Sequence, residues 1–212
     1  MNDLGSKMIK VYKKQYIKHG YSPASLGCPK GRQDLRFKSL SKYLKKGTLL
    51  DFGCGFGDLA NYLKKENSDI TYNGCDVVED FIEVARKNNP EGFFFKTKVG
   101  SKINEDYDYI IASGVFNFLY TKKPIDHKEF IFSTLDELFS KTKNVLSVDF
   151  LSPAVDFISK DAYHQEFNEL QDFILANLSR RFEINHTYMP YEYCVHIFKN
   201  DKIIVPENVF ES

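Results

Sequence analysis

From residue 48 onward the chain alternates short, almost unbroken apolar runs with amphipathic ones: TLLDFGC, DLANYLKKE, ITYNGCD, EDFIEVARKNN, GFFFKTKV and YDYIIASG. Apolar runs of strand length separated by helical patterns predict a parallel sheet covered by helices on both faces. A further helix is predicted over roughly 126 to 141 (DHKEFIFSTLDELFSK), where Phe130, Leu135, Leu138 and Phe139 fall near helical spacing. The strand KNVLSVDFL follows, then a loop containing Ser152 and Pro153 and a helix over roughly 165 to 179. The last two strands, RFEINHTYM and EYCVHIFK, are separated only by Pro190 and Tyr191, which predicts an antiparallel hairpin. The expected fold class is α/β: a doubly wound, mostly parallel seven-stranded sheet, its first five strands interleaved with helices, ending in that hairpin. Ahead of it, helical patterns at 7 to 18 and 33 to 46 flank the loop HGYSPASLGCPKG. Residues 1 to 46 therefore read as a helical lid on a core of residues 47 to 212.

Composition changes this picture little, but charge does. Lys plus Arg and Asp plus Glu both number 29 in the 212 residues, so no basic excess points to a nucleic-acid partner. Residues 1 to 48 nevertheless hold twelve Lys or Arg against Asp3 and Asp34 alone, a net of +10. This is either a solvated basic helical face or a device that steers anions. Cys28, Cys54, Cys75 and Cys194 form no CxxC pair and no disulfide ladder, and read as thiols in a reducing compartment. No run approaches the roughly 18 apolar residues of a membrane span, and MNDLGSKMIKVYKKQY lacks a signal-peptide core, so a cytoplasmic protein without a membrane partner is expected.

The chemistry concentrates in LLDFGCGFGDL, Leu49 to Leu59, where Gly53, Gly55 and Gly57 follow an apolar run carrying Asp51. In doubly wound sheets the first strand-to-helix turn is the usual ligand cradle. A P-loop needs Lys and then Ser or Thr after its last glycine, and this loop continues with Asp58 and Leu59. A dinucleotide turn prefers G-x-G-x-x-G, whereas the spacing here is G-x-G-x-G with a carboxylate at the helix start. Negative charge is the wrong complement for phosphate and a suitable one for a ligand carrying ammonium or sulfonium.

The stretch resembles the first motif of the class I S-adenosylmethionine-dependent methyltransferases. The resemblance implies a Rossmann-like methyltransferase fold and S-adenosylmethionine as cofactor, held by Asp51, Gly53, Cys54, Gly55 and Gly57. Asp76, ending the second strand about 20 residues after the loop, is placed to accept both ribose hydroxyls, with Val77 beside it. Asp76 and Glu79 also have the spacing of a capping box. Ser113 and Gly114, after the fourth strand, match the family's region beside the transferred methyl group, and Phe116 and Asn117 are expected to face substrate. The sequence there departs from the Asn/Asp-Pro-Pro-Tyr/Phe signature of amino-methylating DNA enzymes, so nucleic acid is not an expected acceptor.

The implied activity is O- or N-methylation of a small-molecule acceptor, with an anionic metabolite or a surface-glycan precursor as the expected setting. The alternative is a non-catalytic cofactor-binding or partner-binding protein that keeps the fold. Asp149, at the end of the fifth strand, His19 and His164 are the candidate general bases. Tyr12, Tyr21 and Tyr191 are candidate acceptor-binding aromatics, and Arg36 is a candidate for binding a carboxylate, of cofactor or acceptor. No metal is expected, because scattered Asp and His lack ligand spacing.

Overall fold

The computed structural model describes residues 2–27, 32–66, 68–121 and 123–200; Cys28 lies outside them. Seven strands form one sheet in the order β3-β2-β1-β4-β5-β7-β6. They are β1 (Gly47–Phe52), β2 (Ile70–Asp76), β3 (Phe93–Lys96), β4 (Tyr107–Ala112), β5 (Thr142–Leu151), β6 (Phe182–Asn185) and β7 (Glu192–Phe198). β1 pairs in parallel with β2 and β4, whereas β7 runs antiparallel to both β5 and β6.

The helices are α1 (Asn2–His19), α2 (Gln33–Leu40), α3 (Asp58–Lys65), α4 (Glu79–Asn88), α5 (Pro124–Ser140) and α6 (Phe167–Asn177). Strand alternation sorts side chains between two layers. Leu49, Tyr109 and Ile111 point to the face covered by Phe37 and Leu40 of α2 and Leu59 and Leu63 of α3. Leu50, Ile110, Ala112 and Leu146 point to the opposite face, against Ile131, Leu135 and Leu138 of α5 and Leu170 and Ile174 of α6. α5 starts where Pro124 takes the first helical position, needing no backbone N–H.

Three expectations are corrected. The crossover from β3 to β4, residues 97–106, contains no helix: Gly100 sits at φ 75° and Ser101 donates to the Lys98 carbonyl in a turn. The loop is fastened to α5 instead, where Glu137 accepts from the Ile103 N–H at 2.9 Å and from Lys102 Nζ at 2.7 Å. α2 stops at Leu40, six residues before its expected end. The hairpin connection runs from 186 to 191, because the Asn185 side chain accepts from both N–H and hydroxyl of Thr187, at 2.9 and 2.7 Å, and diverts the backbone from the ladder.

α1 and the turn that follows it pack beside the carboxyl ends of the strands, where Met8, Tyr12, Leu26 and Gly27 share one cavity with the loops leaving β1 and β4. Tyr12 and Tyr16 of α1 meet the ring of Phe81 edge-on at centroid distances of 5.9 and 5.7 Å. A single 3-10 turn, Pro23–Leu26, leads to Gly27 in the left-handed region. Among the described residues no helix is long and apolar enough to cross a membrane.

Candidate active site

The strand order reverses between β1 and β4, and the loops leaving such a point diverge to form a crevice. After Phe52 the backbone folds over the end of β2: the N–H groups of Gly53 and Cys54 both donate to the Cys75 carbonyl, at 2.8 and 2.9 Å. Gly53, Gly55 and Gly57 then adopt φ of 76°, 54° and 76°. A Cβ on Gly53 would stand 2.6 Å from Val115 Cγ2, and one on Gly55 would stand 3.0 Å from Leu26 Cδ2. The loop thus presents bare main chain to a cavity of about 750 Å³.

Two carboxylates edge that main chain. Asp76 accepts from the Gly55 N–H through Oδ2 at 3.0 Å and from the Val78 N–H through Oδ1 at 2.8 Å. It lines the cavity, with a lone pair on each oxygen beyond these bonds. Burial pushes its pKa up to about 6, against the pull of the backbone N–H donors. Asp51 accepts from the Tyr72 hydroxyl at 2.5 Å, and burial raises its pKa to about 7. Asp58, at the start of α3, also lines the cavity, its pKa raised by burial and its Oδ1 bonded to the Tyr21 hydroxyl at 3.1 Å.

The opposite wall is a buried ion network. Arg36 Nε and Nη2 reach Glu192 Oε2 and Oε1 at 2.9 and 2.5 Å, and Nε lies 3.5 Å from Asp149 Oδ2. Asp149 accepts from the Gly114 N–H at 2.9 Å and from the Ser113 hydroxyl at 3.1 Å, so it fixes the loop leaving β4. Burial raises its pKa to about 6 while Arg36 pulls it down.

Of the residues singled out in the sequence, Asp51, Gly53, Cys54, Gly55, Asp76, Val77, Ser113, Gly114, Arg36, Tyr12, Asn117 and Tyr191 line the cavity. The others are placed elsewhere. Gly57 caps α3, where a Cβ would crowd Asn89 and Phe94. Phe116 is 1% exposed and stacked on Phe150 in the core, on the same face as Ile110 and Ala112 and against Phe130 of α5. Tyr21 is spent on Asp58 at the protein surface, and His19 ends α1 in solvent. His164 bonds the Ser152 carbonyl through Nδ1 outside the cavity wall. Asp149 is wholly buried behind the wall, so it positions the loop and does not reach a reacting group.

Phe118, one of the aromatics expected near the strands' carboxyl ends, also lines the cavity, as do Glu192, Leu26 and Gly27, which nothing in the sequence marked. Gly27 is at φ 77°, and a Cβ there would approach the Phe118 ring to 2.6 Å. The Gly27→Ala variant combines left-handed strain with overpacking, each worth about 1 to 2 kcal/mol. Hydrogen exchange over residues 5 to 27 is expected to accelerate about tenfold or more, with β1 and β4 unchanged; unaltered exchange refutes seating of α1 and its following turn through this contact.

The family described as "Methyltransferase domain" matches residues 50–149, the segment that holds the glycine loop, Asp76 and the β4 exit. Residues 50–149 are thus a methyltransferase domain, and the chain is similar to the class I S-adenosylmethionine-dependent methyltransferases. A Mycobacterium tuberculosis protein, Rv1506c, provisionally named a methyltransferase, is 26% identical over 151 residues, covering 70% of this chain and 91% of that protein. A ribosomal RNA small subunit methyltransferase C of Aliivibrio fischeri is 33% identical over 76 residues, 34% of this chain but only 22% of that enzyme. Among solved structures, magnesium protoporphyrin IX methyltransferase of Synechocystis PCC 6803, with bound S-adenosylhomocysteine, superposes with a TM-score of 0.62 at 15% identity. That superposition covers 94% of this chain and 97% of that one, and shows a shared methyltransferase fold.

Proposed function

We propose that this methyltransferase acts on an oxygen or nitrogen of a small-molecule acceptor inside the cavity. The observation that carries this reading is a cavity of about 750 Å³ walled on one side by Met8 and Tyr12 of α1 with Leu26 and Gly27; the acceptor is placed to enter beside Met189, Pro190 and Tyr191 of the β7 hairpin. α1 and the turn at Leu26 and Gly27 act as the lid, whereas α2 belongs to the core. A nucleic-acid acceptor is disfavoured by that walled cavity and by the sequence after β4, which continues SGVFNF without a Pro-Pro pair.

The residues present fit S-adenosylmethionine. The bare backbone at Gly53 and Gly55 admits a ligand against it, and the remaining lone pairs of Asp76 suit the two ribose hydroxyls. Asp51 has an oxygen not used by Tyr72 and faces the cavity, which suits an ammonium group. The bound cofactor supplies an electrophilic methyl group on a sulfonium, so the protein's own work is alignment and exclusion of water. Ser113 and Gly114, fixed by Asp149, form the rigid edge past which the acceptor atom approaches, with Asn117 beside it. Asn117 Oδ1 is itself held by the Leu151 N–H at 3.2 Å.

The raised pKa of Asp51 gives the test. Protons compete with a cation for a carboxylate whose pKa is about 7, so affinity should fall as pH drops, by about tenfold per pH unit once well below that pKa. Calorimetric titration with S-adenosylmethionine is expected to show strong binding at pH 7.5, weakening by about tenfold or more at pH 5.5, and Asp51→Asn should flatten the profile. Absence of binding sinks the cofactor site, and a flat wild-type profile sinks the role of Asp51.

A further inference from the structure

We infer that the acceptor carries a flat, apolar ring system, which rests on a lip formed by Phe157, Ile158 and Tyr191 at the cavity mouth. The inference builds on the methyltransferase reading of the cavity and names the substrate class. Phe157 and Ile158 are each 70% exposed and Tyr191 is 44% exposed, although all three are large and apolar. The Phe157 and Tyr191 rings face each other at a centroid distance of 6.3 Å, inclined at 56°, which brings two chain segments into one apolar surface.

This surface is built onto the site. Ser159, Asp161 and Ala162, just beyond the lip residues, line the same cavity as the glycine loop, as do Met189 and Pro190 before Tyr191. The loop is pinned at the cavity edge: the Leu119 N–H donates to the Asp161 carbonyl and the Tyr163 N–H to the Asn117 carbonyl, both at 2.9 Å. The Ser152 N–H donates to the Tyr191 carbonyl at 2.9 Å, joining the loop's other end to the hairpin. Phe157 and Ile158 lie between these tethers, exposed and next to residues that line the cavity.

Met8, Tyr12, Phe118 and Phe130 supply apolar lining within the same cavity, and the Arg36 guanidinium is engaged by Glu192. An apolar body is favoured over an anion held by Arg36. A ring system lying across Phe157 and Tyr191 covers the exposed apolar surface, and aromatic faces recognise a planar partner better than a flexible chain.

The experiment uses the full chain loaded with S-adenosylhomocysteine and titrated calorimetrically with 2-naphthol, a neutral bicyclic ring, and separately with 1-decanol. Saturable 2-naphthol binding is expected, stronger than that of 1-decanol, and weakened about tenfold or more in the Phe157→Ser/Ile158→Ser variant. Both substituted side chains are exposed, so S-adenosylhomocysteine affinity should stay within about twofold and report an intact fold. Equal 2-naphthol affinity in the variant, no saturable binding by the wild type, or equal affinity for 1-decanol overturns the inference. So does co-sedimentation of the wild type, and not the variant, with phosphatidylcholine vesicles, which assigns the lip to a membrane surface. If S-adenosylhomocysteine does not bind but the 2-naphthol difference persists, the lip stands and the cofactor assignment falls.

Discussion

Replacing Asp76 with alanine is expected to weaken S-adenosylmethionine binding by about 10- to 150-fold, the effect of losing roughly 1.5 to 3 kcal/mol of hydrogen bonding to a charged group. Two losses combine. The cofactor ribose loses its acceptor, and the Gly55 N–H loses the oxygen that holds the glycine loop in place at 3.0 Å. Asp76→Asn separates them, since an amide oxygen can still accept from one N–H but carries no charge for the ribose pair. Calorimetry should therefore rank the affinities wild type, Asn, Ala. A folded Asp76→Ala variant that binds the cofactor as the wild type does refutes the ribose assignment.

Arg36→Ala is expected to be the most destabilising single change in the cavity wall. The guanidinium joins Glu192 of β7 to Asp149 of β5, and all three residues are buried. Removing it leaves two carboxylates without their cation, a situation worth about 3 to 5 kcal/mol. For a chain of this size that corresponds to a fall in melting temperature of about 6 to 20 °C. The sign of the pH dependence follows from the raised Asp149 pKa. That carboxyl rises further without Arg36, so the variant takes up protons on folding and recovers stability relative to wild type as pH falls from 7.5 to 5.5. Arg36→Met with Glu192→Leu, which removes both members of the bidentate pair, should regain most of the loss. A thermal melt of Arg36→Ala shifted by less than about 2 °C and independent of pH returns Arg36 to the status of a surface charge.

Arg36 also marks where sequence reading stops. In sequence it is one of twelve basic residues in a lysine-rich segment. Its partner Glu192 is 156 positions away and opens an otherwise apolar strand, and no periodicity connects the two. They meet because β7 inserts between β5 and β6 while α2 covers the sheet beside it. Phe116 shows the same limit over a shorter distance. The family resemblance assigned it to the acceptor, whereas its ring packs with Ile110 and Ala112 between Phe130 of α5 and Phe150 of β5, a burial decided by the helix that covers that face. The β3–β4 loop and the lip at Phe157 and Ile158 have no regular periodicity, so their positions follow from tethers to α5, to the β4 exit and to the hairpin.

By itself, the sequence determined the elements and the cradle. Burial on both faces leaves continuous apolar runs in parallel strands, burial on one face leaves an amphipathic stripe in helices, and a turn at left-handed backbone angles requires glycine at Gly53 and Gly55. Those are local demands, met within a few residues, and they placed Asp51 and Asp76 at strand ends on the cavity. Tertiary structure alone decided what lines the cavity, which charges in its wall are neutralised and which side chains stand at its mouth. These depend on strand order, register and the seating of Leu26 and Gly27. Such contacts join segments far apart in the chain, and their energies are set by geometry that no local pattern encodes.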